Sequence, residues 1–459
     1  MNRPPSPPSS RRRFLTTAGA ATAALAARPA TAGQREPRAA TARPRPTASQ
    51  LAWQREELAL FVHFTVNTFT DKEWGDGTES PRIFDPSRLD TRQWARAAKR
   101  GGFRSLILTA KHHDGFCLWP SRTTDHSVRS SPWRGGSGDL VREFTDACRE
   151  EGLGAGLYLS PWDRNARSYG QGKAYDDFYL TQLEELLGQY GPLVEVWFDG
   201  ANGEGPNGKR QTYDWPRIHR TVRSLQPDAV IFSDAGPDVR WIGNERGVAG
   251  ETCWSTIDPD AVPYAGYDGP GVAEILQTGH PHGSVWRPGE TDVSIRPGWF
   301  WHPAEDTKVR SVDNLVELHL TSVGRNSKLL LNVPPTRDGL LHPTDTDRLA
   351  GYGEAIARLY ATDHAKNARP RGTAGSLELQ LESPARCSVI CLEEAIAHGQ
   401  VVERYRVEAH TGGGWREIAR GTTIGHRKLD RVEPISVDRI RLTIEKALDT
   451  PRISRISVL

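Results

Sequence analysis

The sequence predicts an α/β protein: a (β/α)8-like barrel followed by a C-terminal antiparallel β-sandwich. Short apolar runs alternate with amphipathic helical runs at about 40-residue spacing over residues 50–360, which is typical of such a barrel. Several of these runs end in His, Asp, Trp or Tyr, where a barrel enzyme places its reacting groups. After residue 366 the pattern changes to strict alternation with Gly-rich turns, which predicts antiparallel strands.

The barrel strands are predicted where short apolar runs occur, at 59–64, 105–111, 154–160, 193–199, 230–235 and 328–333. The helices between them are predicted at 90–100, 139–151, 175–190 and 215–225. Residues 255–310 are rich in Pro and Gly, and no pattern there identifies the sixth and seventh strands.

The C-terminal domain, 366–459, has predicted strands at 376–382, 405–409, 437–444 and 453–459. It either binds carbohydrate or braces the barrel. Bracing is favoured, because Trp415 is the only Trp in the segment and no cluster of aromatic rings stands out.

Residues 1–32 read as a twin-arginine export signal. Arg11 and Arg12 lie in the run Ser-Arg-Arg-Arg-Phe-Leu, an Ala-rich apolar stretch follows, and Ala30-Thr31-Ala32 provides a small-residue cleavage site. We therefore expect a secreted protein that uses the twin-arginine translocase. The Pro- and Arg-rich residues 33–49 are predicted to be a flexible spacer.

Composition excludes some classes of function. The formal net charge is only +2 over 459 residues, so no strong field attracts nucleic acid. No later run reaches the roughly 18 apolar residues that a membrane span needs. The five cysteines form no CxxC pair, and Cys387 and Cys391, four apart on a strand, would lie about 13 Å apart, so free buried thiols are expected.

Asp199 is the most informative residue, because the apolar run 193–198 ends in its carboxylate. At the end of a barrel strand such a group points into the reactive face; the competing interpretation is a helix cap or a loop ion pair. His63 lies in the first strand, and His112 and His113 follow the second. Several strand ends that carry His, Asp, Trp and Tyr favour a sugar-binding site.

The sequence resembles glycoside hydrolase family 29, the retaining α-L-fucosidases, over residues 51–340. The resemblance rests on motifs that occur in order: His63-Phe64 with Asn67-Thr68-Phe69, Glu73-Trp74-Gly75, Thr109-Ala110-Lys111-His112-His113-Asp114-Gly115-Phe116, Tyr158-Leu159-Ser160-Pro161-Trp162, Trp197-Phe198-Asp199-Gly200 and Leu329-Leu330-Leu331-Asn332-Val333. The family fold, a barrel followed by a β-sandwich, agrees with the pattern of elements.

The resemblance implies that Asp199 is the nucleophile. The segment 241–247 is similar to the subgroup that prefers branched α-1,3/1,4-linked fucose, which implies that Glu245 is the acid/base. Glu251 and Glu290 are the rivals, and Glu245 could instead pair with Arg246 or Arg240. Retention requires two carboxyl groups about 5–5.5 Å apart on opposite sides of the bond that breaks.

The resemblance also implies a set of residues that bind fucose: His63, Glu73, Trp74, His112, His113 and Tyr158. Trp299 is the first choice for an aromatic wall against the fucose methyl group, and Trp301 is the second. Adjacent histidines on a regular strand point to opposite faces, so both reach the sugar only where the backbone turns. The family needs no cofactor and no metal, although two histidines could bind one. Thr65 and Trp301 depart from the usual Gly and Tyr, and Thr65 could crowd the pocket floor.

The expected function is therefore a secreted retaining exo-α-L-fucosidase acting on α-1,3/1,4-fucosylated oligosaccharides or glycoconjugates. Two alternatives stay open: a broad-specificity fucosidase that also accepts α-1,2 linkages, and a catalytically inactive fucose-binding protein on the same scaffold.

Overall fold

Eight parallel strands close into a barrel, as the sequence predicts. The first and last strands pair in parallel and complete the ring, with Leu58 beside Leu329 and Phe61 beside Asn332. The strands are β1 (Leu58–Val62), β2 (Ser105–Lys111), β3 (Gly154–Leu159), β4 (Glu195–Trp197), β5 (Val230–Ser233), β6 (Val239–Trp241), β7 (Gly289–Ser294) and β8 (Ser327–Asn332).

The six predicted barrel strands are all present, with ends that differ by up to two residues. The sixth and seventh strands are the ones that the sequence pattern did not reveal. Strand β6 has only three residues, and β7 reads Gly-Glu-Thr-Asp-Val-Ser. Because Glu290, Asp292 and Ser294 alternate along β7 and are buried, this strand is polar and shows no apolar run.

The helices pack outside the barrel, and several begin and end at the residues that cap them. Asp90 and Asp139 accept hydrogen bonds from the first backbone N–H groups of helices Thr91–Arg100 and Leu140–Glu151, and Gly152 ends the second of these in the left-handed conformation (φ 71°). The helices are α1 (Ala48–Glu56), α2 (Val66–Thr70), α3 (Thr91–Arg100), α4 (Leu140–Glu151), α5 (Lys173–Gln189), α6 (Trp215–Leu225), α7 (Val272–Thr278), α8 (Val312–Thr321) and α9 (Pro343–Tyr360).

The C-terminal domain is a six-stranded antiparallel sheet that curves around its own apolar core. Its strands are β9 (Arg371–Thr373), β10 (Ser376–Glu394), β11 (Val402–Thr411), β12 (Gly414–Gly421), β13 (Lys428–Ala447) and β14 (Ile453–Val458). The long strands β10 and β13 pair along most of their length, with register shifts near Gln380 and Cys387 where the ladder is interrupted. The predicted antiparallel domain is confirmed.

This domain packs beneath the amino ends of the barrel strands. Glu57, directly before β1, accepts from His426 at 2.7 Å and from Arg427 at 2.8 Å. Asn326, directly before β8, accepts from the backbone N–H of His426 at 2.7 Å and donates to Gln400. The domain therefore lies at the end of the barrel opposite the carboxyl ends of the strands, as a bracing element would.

The computed structural model describes residues 43–459. The predicted export signal and residues 33–42 of the predicted spacer lie outside the described residues. Ala48 and Ser49, expected in the spacer, instead form the first turn of α1, which Thr47 caps. All five cysteines are free and buried, as expected. Within 43–459, no helix combines the length and apolarity that crossing a membrane requires.

Candidate active site

Asp199 lies at the carboxyl end of β4, where strand alternation points it into the barrel. Its side chain is buried and accepts hydrogen bonds from Tyr158 Oη to Oδ2 at 3.1 Å and from the Ala201 N–H to Oδ1 at 2.8 Å. The Nε2 atom of His113 is 3.9 Å from Oδ2. A carboxylate held by a hydroxyl and a backbone amide on a strand end has a fixed orientation.

An aromatic stack supports this carboxylate from below. The Trp197 ring, two residues before Asp199, stacks on Phe232 with centroids 4.1 Å apart and on Tyr158 at 5.2 Å. The Tyr158 ring also stacks on His112 at 5.8 Å. Because these rings fill the barrel interior, the hydroxyl of Tyr158 has little freedom to turn away from Asp199.

His63 is held in a defined tautomer. Its Nδ1 lies 2.8 Å from Asn332 Oδ1, while Asn332 Nδ2 donates to Ser294 Oγ and to the carbonyl of Trp299. Those two acceptors fix the orientation of the amide, so its oxygen faces His63 and Nδ1 must carry the proton. In the neutral ring, Nε2 of His63 is then the acceptor nitrogen.

His112 and His113 come together because the chain turns immediately after β2. Strand β2 ends at Lys111, and the N–H of Gly115 bonds to the carbonyl of His112. The two imidazole rings are 4.1 Å apart. His113 Nδ1 lies 2.7 Å from Ser160 Oγ, whose own proton goes to a backbone carbonyl, so His113 donates from Nδ1. The turn thus brings both histidines to one side.

Glu73 holds the backbone of the loop that carries the predicted aromatic wall. Its carboxylate accepts from the N–H groups of Trp299 at 2.9 Å and Phe300 at 3.2 Å. The Trp299 ring is 5.3 Å from the ring of His63, whereas Trp301 donates its indole N–H to Asp306. The geometry favours Trp299 over Trp301 as the wall beside the site.

Trp74 and Thr65 occupy supporting positions. The Trp74 ring packs edge-on against His113 at 5.9 Å and against Trp162 at 5.7 Å. The Thr65 hydroxyl caps α2 and donates to buried Asp114 at 3.0 Å. The Thr65 hydroxyl therefore bonds to α2 and to Asp114, and the crowding of the pocket floor stays a prediction.

Glu245 lies in the loop that follows β6, at the same end of the barrel as Asp199. Asn244 holds this loop: it accepts from the Arg246 N–H and donates to the carbonyl of Val248. Arg240 is turned elsewhere, towards the carbonyl of Leu276 and the thiol of Cys253. Strands β4 and β6 are two strand spacings apart, about 10 Å, which two facing side chains can span.

The two rival carboxyls lie elsewhere. The Glu251 side chain is 85% exposed and lies 3.9 Å from Arg325, which precedes β8 at the amino end of the barrel. The backbone carbonyl of Glu251 accepts a hydrogen bond from the hydroxyl of Thr422 in the C-terminal domain. Glu290 is fully buried in the barrel floor, where its Oε1 accepts from the Trp197 indole N–H at 2.9 Å. Neither position suits a group that must reach a leaving oxygen and then water.

The barrel floor contains a buried charge cluster. Lys328 Nζ lies 2.7 Å from Glu56 and 3.9 Å from Glu195, and Glu195 accepts from the Trp53 indole N–H at 2.8 Å. Burial raises the pKa of Glu195 to about 7, and burial together with the charge of Glu195 raises the pKa of Glu290 well above its usual range. Burial would lower the pKa of Lys328, but the surrounding carboxylates raise it, so this lysine stays charged.

Sequence reasoning missed three residues around the site: Asn332 as the partner of His63, and the buried carboxylates Asp234 and Asp292. Asp234 follows β5 and accepts from the N–H of Gly266, and Asp292 accepts from the Trp241 indole at 2.7 Å. The run 230–233 ends in a carboxylate, as the run before Asp199 does, and that signal could have identified Asp234. Asp292 gave no such signal, because its strand is polar.

Within residues 43–459, no group of three or more His, Cys, Asp or Glu side chains is arranged to hold a metal ion. Around Asp199, the hydroxyl of Tyr158 and the rings of His63, His112 and His113 offer hydrogen-bonding groups to a hydroxyl-rich ligand.

Comparison with known proteins identifies the family. The Alpha-L-fucosidase family profile matches residues 45–358. The chain belongs to the α-L-fucosidase family. It is 41% identical over 449 residues to Alpha-L-fucosidase 1 of Arabidopsis thaliana, covering 90% of this chain and 87% of that one. This α-L-fucosidase family member is a glycoside hydrolase, as the sequence predicts.

Two solved structures extend the likeness to the fold of this α-L-fucosidase family member. A glycoside hydrolase 29 family member from an unknown rumen bacterium superposes with a TM-score of 0.85 at 41% identity, over 91% of this chain and 77% of that one. A Ruminococcus gnavus GH29 fucosidase in complex with fucose superposes with a TM-score of 0.82 at 32% identity, over 92% and 96%.

Proposed function

We propose that this chain is a secreted retaining exo-α-L-fucosidase that releases fucose from α-1,3/1,4-fucosylated glycans, with Asp199 as nucleophile. The observation that carries the proposal is the fixed carboxylate of Asp199, held by Tyr158 and the Ala201 amide at the carboxyl end of β4. A nucleophile must be aligned with the anomeric carbon before the reaction begins, and these two donors fix the direction of its carboxylate.

The second carboxyl is Glu245. In the first step an Asp199 oxygen bonds to C1 of fucose while Glu245 gives its proton to the departing glycosidic oxygen, which leaves as an alcohol. In the second step Glu245 takes a proton from water, the resulting hydroxide bonds to C1, and the bond to Asp199 breaks. Two inversions at C1 leave the product in the α configuration.

The remaining predicted groups bind the sugar. His63, His112 and His113 offer ring nitrogens, and the Tyr158 and Trp74 rings close the site around them. Fucose carries a methyl group where most hexoses carry a hydroxymethyl, so an apolar surface is needed on that side. Trp299, packed against His63, provides this surface, and Glu73 holds its backbone.

The stereochemistry of hydrolysis tests the mechanism. With an aryl α-L-fucoside, proton NMR at early times should show α-L-fucose first, with the β anomer appearing only as the sugar mutarotates. If β-L-fucose appears first, the enzyme inverts, and the assignment of Asp199 as a nucleophile is wrong.

The linkage preference rests on the similarity of segment 241–247 to the branched-substrate subgroup. In the segment between β6 and β7, Gly266 lies at the rim: its N–H bonds to Asp234, close to Gly200. Such a rim can hold a second sugar, whose binding energy orients the reacting centre. A fucosylated trisaccharide with galactose should be cut with a higher kcat/KM than the same disaccharide without it, and α-1,2 linkages should be cut poorly. Equal rates on all three favour the broad-specificity alternative.

A further inference from the structure

The turn 298–302, which carries Trp299, is held by polar contacts from three directions. The N–H of Gly298 donates to Glu305 at 3.1 Å. Ser294 donates to the carbonyl of Gly298 at 2.6 Å, and Asn332 donates to the carbonyl of Trp299 at 2.8 Å. A loop with this many fixed backbone groups has one conformation, so the position of the Trp299 ring depends on each contact.

Glu73 makes the third set of contacts to this turn. Its two carboxylate oxygens accept from the N–H groups of Trp299 and Phe300 and from Nε2 of His302, the last at 2.6 Å. A Cβ atom on Gly298 would lie 2.4 Å from Glu73 Oε1 and 2.9 Å from His302 Cδ2. The carboxylate, the imidazole and the turn are therefore packed so closely that a side chain at 298 would have to displace the Glu73 carboxylate.

His302 bridges two carboxylates. Its Nδ1 lies 2.8 Å from Asp71 Oδ1, and its Nε2 contacts Glu73. A neutral imidazole can donate from only one nitrogen, so two carboxylate partners require the imidazolium. The hydrogen bond to Glu73 first, then the bond to Asp71 and the charges of Glu73 and Glu305, raise the pKa of His302 to about 9.

We propose that His302 is a positioning residue for the fucose subsite: as an imidazolium between Asp71 and Glu73, it holds Glu73 against the backbone of Trp299. The chain of contacts runs from Asp71 through His302 and Glu73 to the Trp299 loop, and from the Trp299 carbonyl through Asn332 to His63. The proposal rests on the proposed role of these groups in binding the sugar. His302 itself need not touch fucose.

A dependence on pH follows. Because the pKa of His302 is raised in the folded protein, its protonated ring stabilises the fold fully below the ordinary pKa of 6.5. This stabilisation is lost as the pH rises through about 9. When His302 loses its proton, one of its two nitrogens becomes an acceptor facing a carboxylate, and that contact becomes repulsive. Glu73 is then held less firmly, and the Trp299 loop loosens. Fucose should therefore bind more weakly above pH 9.

The test is equilibrium binding of L-fucose, measured by isothermal titration calorimetry from pH 7 to pH 10. The sugar does not titrate in this range, and no turnover is needed, so the pH dependence of the chemical steps does not enter. The variants are His302→Gln, Asp71→Asn and a control, His398→Gln, on the exposed surface of the C-terminal domain. Asp71 has φ 60°, a conformation that Asn adopts readily, so Asp71→Asn preserves the backbone.

The wild-type protein and His398→Gln should lose affinity, on the order of tenfold, between pH 8 and pH 10. His302→Gln should already bind on the order of tenfold more weakly at pH 7 and should show no further loss up to pH 10. Asp71→Asn should bind normally at pH 7, with the loss shifted to lower pH by about one unit. With an aryl α-L-fucoside at pH 7, His302→Gln should raise KM and leave kcat nearly unchanged.

Two results overturn the proposal. One is a His302→Gln protein that binds fucose as the wild type does at pH 7; the other is an alkaline loss of affinity that persists unchanged in His302→Gln and Asp71→Asn. In both cases a wild-type protein that binds fucose and hydrolyses fucosides leaves the proposed function standing. A wild-type protein that hydrolyses no fucoside and binds no fucose contradicts the proposed function itself.

Discussion

Replacing Glu290 with Gln tests whether the carboxyl of Glu290 has a structural role or a catalytic one. Trp197 donates to Glu290 Oε1 and Trp53 donates to Glu195 Oε2. Among the residues that the structure describes, the other two oxygens, Glu290 Oε2 and Glu195 Oε1, have no N–H or O–H donor, and the two carboxyls interact with each other. One shared proton would satisfy both, so we expect this pair to be at least half protonated at neutral pH.

The magnitude follows from the raised pKa of Glu195. A rise from 4.5 to about 7 corresponds to about 3 kcal/mol, since one pKa unit is about 1.4 kcal/mol. The sign follows from linkage: the folded chain holds this proton up to about pH 7, whereas the unfolded chain holds it only up to about pH 4.5. The free energy of unfolding is therefore highest below pH 4.5 and falls as the pH rises through about 7. Gln at 290 keeps the acceptor for Trp197 and can donate to Glu195, so it removes most of this loss.

Melting temperatures at pH 5 and pH 8 provide the assay. Over about 400 residues, 1 kcal/mol corresponds to about 1 °C, so Glu290→Gln should melt about 1–3 °C above the wild type at pH 8 and no higher than the wild type at pH 5. Glu251→Gln, at an exposed site, is the control. Hydrolysis of an aryl fucoside should stay within a few-fold of wild type. An equal drop in melting temperature at both pH values would refute the proton-sharing argument, and a near-complete loss of turnover with normal folding would make Glu290 the acid/base.

Three further predictions concern the proposed roles. Glu245→Ala should lower hydrolysis of glycans by about 10²- to 10⁴-fold and of aryl fucosides with good leaving groups much less, and added azide should yield the retained α-fucosyl azide; the same pattern from another carboxyl would reassign the role. Tyr158→Phe should reduce kcat for aryl fucosides by about tenfold, because it removes the hydroxyl bound to Asp199 and keeps the ring stack; unchanged kcat would show that this bond is dispensable. Replacing Arg11 and Arg12 with Lys should leave active enzyme in the cytoplasm, measured by cell fractionation, and unaltered secretion would contradict the twin-arginine assignment.

Much of the fold could be predicted because most of the barrel strands are apolar on both faces. The run at 105–111 is buried throughout and the run at 154–159 from Ala155 onwards; both are bounded by capped helices and are predicted to within a residue. Strand β7 could not be predicted, since its inward face carries Glu290, Asp292 and Ser294. The burial of those groups is tolerated only because Trp197, Trp241 and Lys328 approach from other strands, a long-range arrangement that a local pattern does not contain.

The same distinction between local sequence patterns and long-range contacts applies to the candidate active site. Asp199 could be found because a carboxylate ends an apolar run, and the paired histidines because they follow another. The role of Asn332 depends on its amide being oriented by Ser294 and by the carbonyl of Trp299, and the bridge made by His302 depends on two carboxylates from the segment after α2. These contacts join residues more than 200 positions apart or across separate loops, so only the folded chain reveals them.

The most direct test of the account is the product formed by Asp199→Ala in the presence of azide. The variant should fold and bind L-fucose, and its turnover of an aryl α-L-fucoside should be almost abolished, since the covalent intermediate cannot form without the Asp199 carboxylate. Azide should fill the space left by the carboxylate, restore part of the activity and give β-L-fucosyl azide, identified by its anomeric coupling in the NMR spectrum. Near-normal turnover without azide, or an α-azide as the rescued product, would contradict the assignment of Asp199 as the nucleophile.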